Sequence, residues 1–214
     1  MNIYLDIETI PTQNPSHQAF VVEHLKAPAS YKKPESIAEW IAENKQSTID
    51  KTALDGTFGE IAVIGVAIDD EPVQLFYQTD WQAPDRERLI LTDFFNYLRE
   101  QGVKRQTLPQ FIGHNISKFD DRFIFQRAVI NGVKPAYTAN RNNTYDTMLE
   151  WAGYGNTVSL AKLCQVLGIE AKGEIDGSKV WEYVQAGKID EVAGYCAKDV
   201  ERVRQVYKRM NFVE

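Results

Sequence analysis

The sequence contains few cysteines and no long apolar run. Two cysteines, Cys164 and Cys196, occur in 214 residues, and both lie in stretches typical of helices. They are more simply interpreted as small buried residues than as a disulfide or a zinc site. No apolar run approaches the ~18 residues that a membrane span requires, and the chain does not begin with a basic segment followed by an apolar signal core. We therefore expect a cytoplasmic protein that makes no membrane contact.

The chain is also short of positive charge. It has 24 lysines and arginines against 30 aspartates and glutamates, which gives a net charge of −6. This balance argues against a broad phosphate-binding surface of the kind that coats DNA nonspecifically. It is compatible with an enzyme that grips only a few nucleotides. One segment is locally basic through Lys118, Arg122, Arg127, Lys134 and Arg141. Such a segment is by default a solvated helix face, and a binding groove is the alternative.

What the chain does contain is typical of one globular domain, with 43% hydrophobic and 25% charged residues and enough length to bury a core. The residue patterns predict strands at the N-terminus, in a hairpin over 59–80, over 107–115 and in a short edge strand at 145–147. They predict helices over 36–45, over 83–102 with Gly102 as its stop, and over 118–133, 158–168, 177–187 and 188–211.

The strand over 107–115 should run parallel to the first strand, because a helix separates them. The fold class expected is therefore α/β, a mixed β-sheet flanked by helices in a single domain over residues 1–214. Residues 12–58 fit this scheme least, and we interpret them as an insertion or flap.

Two acids stand one residue apart on the first strand. In an extended strand residues i and i+2 point to the same face, so Asp6 and Glu8 project side by side. In a dry site each would raise the pKa of the other, and a divalent cation between them would keep both ionised. The alternative is a strand end in solvent, where two acids cost little.

A third acid, Asp120, begins a helix that follows a strand. A helix N-terminus favours negative charge, so capping alone can explain it. The preceding Gly113-His114-Asn115 lies where ligand crevices form in open α/β sheets. Only one of Asp120 and Asp121 can face such a crevice, and we choose Asp120 because Phe119 beside it must turn toward the core.

A fourth acid follows a tyrosine by four residues in 195-YCAKD-199. Tyr195 and Asp199 share one face of a helix, at the border of its buried stripe. A packing tyrosine and a surface acid would give the same pattern.

The three patterns occur together and in order: Asp-x-Glu on a first strand, Asn-x-x-x-Phe-Asp opening a helix, and Tyr-x-x-x-Asp on a late helix. In this the sequence resembles the DEDD superfamily of 3′-5′ exonucleases in its tyrosine branch. More narrowly it is similar to the bacterial and phage group related to the proofreading domain of family-B DNA polymerases. Residues 158–200 are similar to that group throughout, including its Lys172-Gly173 and Asp176-Gly177 loop. The sister branch has a histidine near position 195, where this chain has none.

The resemblance implies a ribonuclease H-like fold and a site that uses two divalent ions, Mg²⁺ or Mn²⁺, to hydrolyse phosphodiester bonds. Its metal ligands would be four acids: Asp6, Glu8, Asp120 and Asp199. Tyr195 would orient the attacking water. The substrate would be a single-stranded nucleic acid 3′ end, with DNA favoured over RNA, and the products nucleoside 5′-monophosphates. Protein partners stay unknown.

Several nearby residues have two interpretations. Thr9 and Asn115 are candidate contacts to the terminal nucleotide, or they cap a turn and a helix. Asp146 could support the site, although an edge-strand or turn acid is favoured. Phe119 and Phe123 are interpreted as core residues rather than base-stacking platforms.

Two other functions stay open. A 3′-5′ exoribonuclease of ribonuclease D type would share the four acids and the tyrosine. A nucleic-acid-binding module without catalysis would keep the fold, but the presence of all five motif residues weighs against it.

Overall fold

The computed structural model describes residues 1–137, 139, 142–170 and 176–213. Its sheet has five strands: β1 (Asn2–Ile10), β2 (Glu60–Ile68), β3 (Gln74–Tyr77), β4 (Gln110–Gly113) and β5 (Thr144–Asp146). The strand order is β3-β2-β1-β4-β5. The β1-β2 and β2-β3 pairs are antiparallel, whereas β1-β4 and β4-β5 are parallel. The expected mixed sheet, with its hairpin and a strand parallel to the first, is confirmed.

Helices cover both faces of this sheet. They are α1 (Pro15–Glu23), α2 (Pro34–Asp50), α3 (Arg86–Arg105), α4 (Asp120–Ile130), α5 (Thr147–Ala152), α6 (Leu160–Leu167), α7 (Val180–Gln185) and α8 (Ile189–Met210). Short 3₁₀ turns occupy Lys51–Leu54 and Gly177–Lys179. Within the described residues, no helix combines the length and the apolar character needed to cross a bilayer.

The alternation of β1 decides what each face of the sheet carries. Ile3, Leu5 and Ile7 enter the core that the sheet shares with α3 and α4. Tyr4 and Ile10 pack on the other side, in clusters that include residues of α8. Asp6 and Glu8 have the same parity as Tyr4 and therefore face α8.

A glycine in β2 lets α8 lie close to the sheet at this point. Gly65 pairs with Asp6 across the β1-β2 ladder. A Cβ at Gly65 would lie 2.8 Å from Cys196 Sγ and 2.9 Å from Val200 Cγ2, both on α8. A side chain on this residue would displace the helix, so the absence of one sets the spacing between α8 and β1.

On the opposite face, four charged residues form a network that we call the paired cluster: Glu60, Arg86, Glu87 and Arg127. The Arg127 guanidinium donates from Nε and Nη2 to the two carboxylate oxygens of Glu87, at 2.9 and 2.7 Å. Glu87 also accepts the backbone N–H of Ile61, and Arg86 pairs with Glu60. These contacts join α3, α4 and the start of β2.

Some predicted elements differ from the structure. The helix predicted over 83–102 continues past Gly102 and ends at Arg105, and the cap residue Gln106 adopts the left-handed conformation with φ 52°. Gly102 instead makes room for the ring of Tyr137, which a Cβ would overlap. The helix predicted over 36–45 is longer than expected and extends over the whole of α2. The proline-rich segment 11–35 contains the helix α1, which begins at Pro15, a position where proline is tolerated. The region 177–187 is a 3₁₀ turn followed by α7, and α5 was not predicted.

Candidate active site

Asp6 and Glu8 lie side by side on β1, as the strand geometry predicts. Glu8 is only 7% exposed, and the Oδ2 atom of Asp6 is buried with no hydrogen-bond partner among the described residues. A carboxylate oxygen of each and the Sγ atom of Cys196 lie within 4.8 Å of one another. The interpretation of these acids as a strand end in solvent is therefore wrong.

Asp120 reaches β1 from the first turn of α4. Its Oδ1 atom accepts the backbone N–H of Ile7 at 3.1 Å. The pairing of β4 with β1 extends only to Tyr4, so a gap beside Ile7 is left for this carboxylate to fill. Asp120 is 4% exposed, whereas its neighbour Asp121 is half-buried and borders a separate cavity with Ser117 and Arg122.

Tyr195 and Asp199 approach the same place from α8. Asp199 is largely buried, and its Oδ1 atom lies 2.6 Å from Nη1 of Arg202. Tyr195 is close enough to Asp199, Glu8 and Asp6 for their charges to act on its phenol. The structure thus brings together the four acids Asp6, Glu8, Asp120 and Asp199, which we call the acid cluster.

The acid cluster is electrostatically unfavourable when its members are all ionised. Burial, followed by the charges of the neighbouring acids, raises the pKa values of Asp6 and Glu8 well above the ordinary carboxyl range. Burial also raises the pKa of Asp120 to about 7, although the N–H of Ile7 opposes the shift. Cations held between these oxygens would remove the conflict.

Cys196 is a member of this site that the sequence reasoning missed. It is buried and forms no disulfide, as expected, and Cys164 is likewise buried and free. The Sγ–H group of Cys196 donates to the backbone carbonyl of Asp6 at 3.5 Å. Burial and the charges of Asp6 and Glu8 raise the pKa of the Cys196 thiol. Its position between Tyr195 and Asp199, on the buried stripe of α8, was the available signal.

The two candidate substrate contacts are both engaged with the protein. The hydroxyl of Thr9 donates to the carbonyl of Ala53 at 2.6 Å, where it satisfies the end of a 3₁₀ turn. Asn115 has a φ of 65°, and its backbone N–H donates to Asp146. The side chain of Asn115 does not cap α4, because Phe119 occupies the cap position.

Asp146 supports the loop that leads to Asp120. Its carboxylate accepts the N–H groups of Asn115 and Ser117 at 2.9 and 3.2 Å, and those of Met148 and Leu149 at the start of α5. This is the turn acid that the sequence favoured, and it is buried.

The aromatic and basic residues near α4 have mainly structural positions. Phe123 is a core residue, and half-buried Phe119 packs on the same core, as predicted. Lys118, Arg122 and Lys134 are exposed. Arg127 belongs to the paired cluster and is buried, so its assignment to a basic surface was wrong. Arg141 and the Lys172-Gly173 pair lie outside the described residues.

Comparison with known proteins supplies independent information on this fold. Residues 54–214 match the family described as a predicted 3′-5′ exonuclease related to the exonuclease domain of PolB. Asp120, Tyr195 and Asp199 lie inside the matched region, while Asp6 and Glu8 precede it. No curated protein matches the sequence.

A solved structure shares the fold. The family B DNA polymerase from the hyperthermophilic archaeon Pyrobaculum calidifontis superposes with a TM-score of 0.60 at 14% identity. The match covers 98% of this chain and 24% of the polymerase chain, so this chain spans about a quarter of that protein. At this identity the likeness shows the fold, a ribonuclease H-like α/β domain. Because the family match covers most of the sequence, the chain belongs to the family of predicted 3′-5′ exonucleases related to the exonuclease domain of PolB.

Proposed function

We propose that this protein is a metal-dependent 3′-5′ exonuclease of the tyrosine branch, from the bacterial and phage group. It would remove nucleoside 5′-monophosphates from the 3′ end of single-stranded DNA. The observation that carries the proposal is the convergence of four acids from β1, α4 and α8, whose charges act on one another, together with the buried Oδ2 atom of Asp6, which has no hydrogen-bond partner among the described residues.

The donor set fits the metal ions that the family resemblance implies. Mg²⁺ and Mn²⁺ prefer carboxylate and water oxygens, and the acid cluster offers carboxylates from four residues. The unpartnered Asp6 oxygen is an atom that a cation would satisfy. We propose that Asp6, Glu8, Asp120 and Asp199 would hold these ions.

Two divalent ions bound there would acidify an attacking water and neutralise the leaving 3′-oxygen. Tyr195 has a different role. Burial and the neighbouring acids raise the pKa of its phenol, so the hydroxyl keeps its proton at neutral pH. A protonated phenol orients a water by hydrogen bond and does not act as the base.

The substrate end must enter as a single strand, because a duplex end hides its terminal phosphodiester from two ions in a narrow site. We propose Thr9 and Asn115 as contacts to the terminal nucleotide. The Thr9 hydroxyl hydrogen is used by Ala53, so Thr9 would serve as an acceptor there. The relation of the family to the PolB exonuclease domain supports DNA.

We propose that residues 12–58 form a flap beside this site within a single exonuclease domain. The segment is tied to the end of β1 by the Thr9 hydroxyl, which donates to the carbonyl of Ala53. Within the segment, the N–H of Thr12 donates to the hydroxyl of Thr52. Beyond these ties, α1 has no buried residue and α2 has one, Ile49. A segment held at its end and largely exposed is suited to moving over a bound strand.

The direct test uses 5′-labelled single-stranded DNA and RNA of one sequence with Mn²⁺ or with chelator. We expect a descending ladder on DNA that requires metal and is lost in Asp6→Asn. Asp121→Asn is the matched control, since it removes a neighbouring acid that lies outside the acid cluster, and it should keep the ladder. A ladder on RNA alone would transfer the proposal to an exoribonuclease. No ladder on either substrate at high enzyme concentration would overturn it.

A further inference from the structure

A buried arginine contacts one member of the acid cluster. Arg202 lies one turn after Asp199 on α8 and is 8% exposed. Its Nη1 atom donates to Asp199 Oδ1 at 2.6 Å, and its Nε atom donates to the backbone carbonyl of Glu170 at 3.2 Å. Arg202 therefore joins the acid cluster to the chain that leaves α6.

These contacts restrict what Asp199 can offer to a cation. One oxygen of the carboxylate is held by the guanidinium, and the side chain cannot rotate without breaking a buried, charge-assisted hydrogen bond. The guanidinium therefore holds the Asp199 carboxylate in one orientation within the acid cluster.

We propose that Arg202 is a positioning residue that holds the Asp199 carboxylate in the orientation in which it would meet a metal ion in the acid cluster. This inference rests on the proposed function, because it assumes that the acid cluster binds divalent ions. It goes beyond that function by assigning a residue outside the motifs, whose partner Glu170 lies 32 residues earlier in the chain.

Arg202 has two opposing effects on metal affinity. Its positive charge repels a cation, so removing it would strengthen binding if charge dominated. Its hydrogen bonds hold Asp199 in one orientation, so removing it would weaken binding if orientation dominated. Contacts that orient a metal ligand commonly change metal affinity or activity by about 10- to 100-fold. The proposal is that orientation dominates.

The same helix offers a matched control in Arg204. This residue also pairs with an acid three positions earlier, Glu201, and also donates to backbone carbonyls, those of Asp69 and Glu71. Its backbone partners lie at the β2-β3 turn, and Glu201 lies on α8 outside the acid cluster. Arg204→Ala thus removes a comparable set of contacts from α8 without touching a proposed metal ligand.

The experiment measures the dissociation constant for Mn²⁺ by titration calorimetry in the wild type, Arg202→Ala, Arg202→Lys and Arg204→Ala. We expect binding in Arg202→Ala to weaken about 10- to 100-fold. The dissociation constant of Arg202→Lys should lie between those of Arg202→Ala and the wild type, because lysine keeps the charge without the planar guanidinium group. Arg204→Ala should bind as the wild type does. In exonuclease assays, Arg202→Ala should need more Mn²⁺ for half-maximal rate and recover most of kcat at saturating metal.

The outcomes separate the inference from the function. Wild-type protein that binds no Mn²⁺ would overturn the proposed function and the inference with it. Wild-type binding, together with equal or tighter binding in Arg202→Ala, would overturn the inference alone. An equal loss in Arg204→Ala would also overturn it, because the effect would then belong to the helix as a whole. If Arg202→Ala does not fold, Arg202→Lys decides, and a dissociation constant within about twofold of the wild type would count against the proposal.

Discussion

The paired cluster and the acid cluster both bury charge, but in opposite ways. In the paired cluster two glutamates meet two arginines, and the Glu87 carboxylate is held by Arg127 and by Asn131 in addition to the N–H of Ile61. In the acid cluster four carboxylates meet, and an oxygen of Asp6 has no partner among the described residues. Charges that serve stability are thus neutralised within the chain. Within the described part of the chain, the acid cluster has one cation, Arg202 on Asp199, against four carboxylates, and this excess of negative charge is the physical argument for the metal site that we propose.

The largest effect expected is on activity. Asp6→Asn removes a proposed metal ligand and should lower the cleavage rate by about 10³-fold, since metal ions contribute several kcal/mol to the stabilisation of the transition state. In chelator, the same variant should unfold at a temperature equal to or above that of the wild type, because one source of like-charge repulsion is gone. An exonuclease assay measures the cleavage rate, and thermal unfolding in chelator measures the stability. A clear loss of stability in chelator would show that Asp6 has a structural partner.

The next largest effect is on stability. Glu87→Ala should lower the free energy of unfolding by about 3–5 kcal/mol, because it leaves Arg127 buried without its partner. Affinity for Mn²⁺ should stay unchanged in the folded fraction. Urea unfolding and calorimetry measure these quantities. Replacing both Glu87 and Arg127 with apolar residues of similar volume should cost less than Glu87→Ala, and an equal or greater cost would contradict the pairing argument.

A smaller effect is expected from pH in the metal-free protein. The pKa of Asp120 is about 7 in the folded protein against 3.8 as its ordinary value, so folding favours its protonated form. That contribution is complete below about pH 4 and is lost as the pH rises through 7. We expect Asp120 to lower the stability by at most about 4 kcal/mol over this range in chelator, the equivalent of a pKa shift from 3.8 to about 7.

Saturating Mn²⁺ should reduce this fall, and Asp120→Asn should remove the part due to Asp120. Urea unfolding between pH 4.5 and 7.5 makes the comparison. The sign of the Asp120 pKa shift would be contradicted if, in chelator, the stability of the wild type rose over this pH range while that of Asp120→Asn did not.

The smallest effect belongs to an exposed pair. Arg88 and Asp85 lie three residues apart, as Asp199 and Arg202 do, but both are about half exposed. Arg88→Ala should change the free energy of unfolding by less than about 0.5 kcal/mol, because water and salt screen such pairs. Thermal melts at low and high salt check this. A loss comparable to that of Glu87→Ala would mean that burial is not what distinguishes the clusters.

The sequence predicted those parts of the fold that depend on local patterns. The alternation of β1, the turn residues of the hairpin and the apolar stripe of α8 each identify an element without knowledge of its neighbours. The helix α5 was missed because its start depends on Asp146, whose carboxylate also holds the loop at Asn115. Gly102 was misread as a stop because Tyr137, for which it makes room, lies far along the chain.

The candidate site divides in the same way into features that local sequence patterns predict and features that depend on distant contacts. The order and types of the five motif residues could be recognised in the sequence, and the structure places them together. The distant contacts could not be predicted: Asp120 binds Ile7 across 113 positions, and Arg127 meets Glu87 across 40. Cys196 and Arg202 were overlooked for the same reason. Their roles depend on Asp6 and Glu170, with which they share no sequence pattern.

Gly65 has a consequence for how such a site can change over generations. It carries no functional group, yet its missing side chain sets the distance between the strand that bears Asp6 and the helix that bears Tyr195 and Asp199. Even an alanine there would have to push Cys196 or Val200 aside. Natural selection for the proposed catalysis should therefore act on this position as strictly as on the acids themselves, and a survey limited to reactive side chains would overlook it.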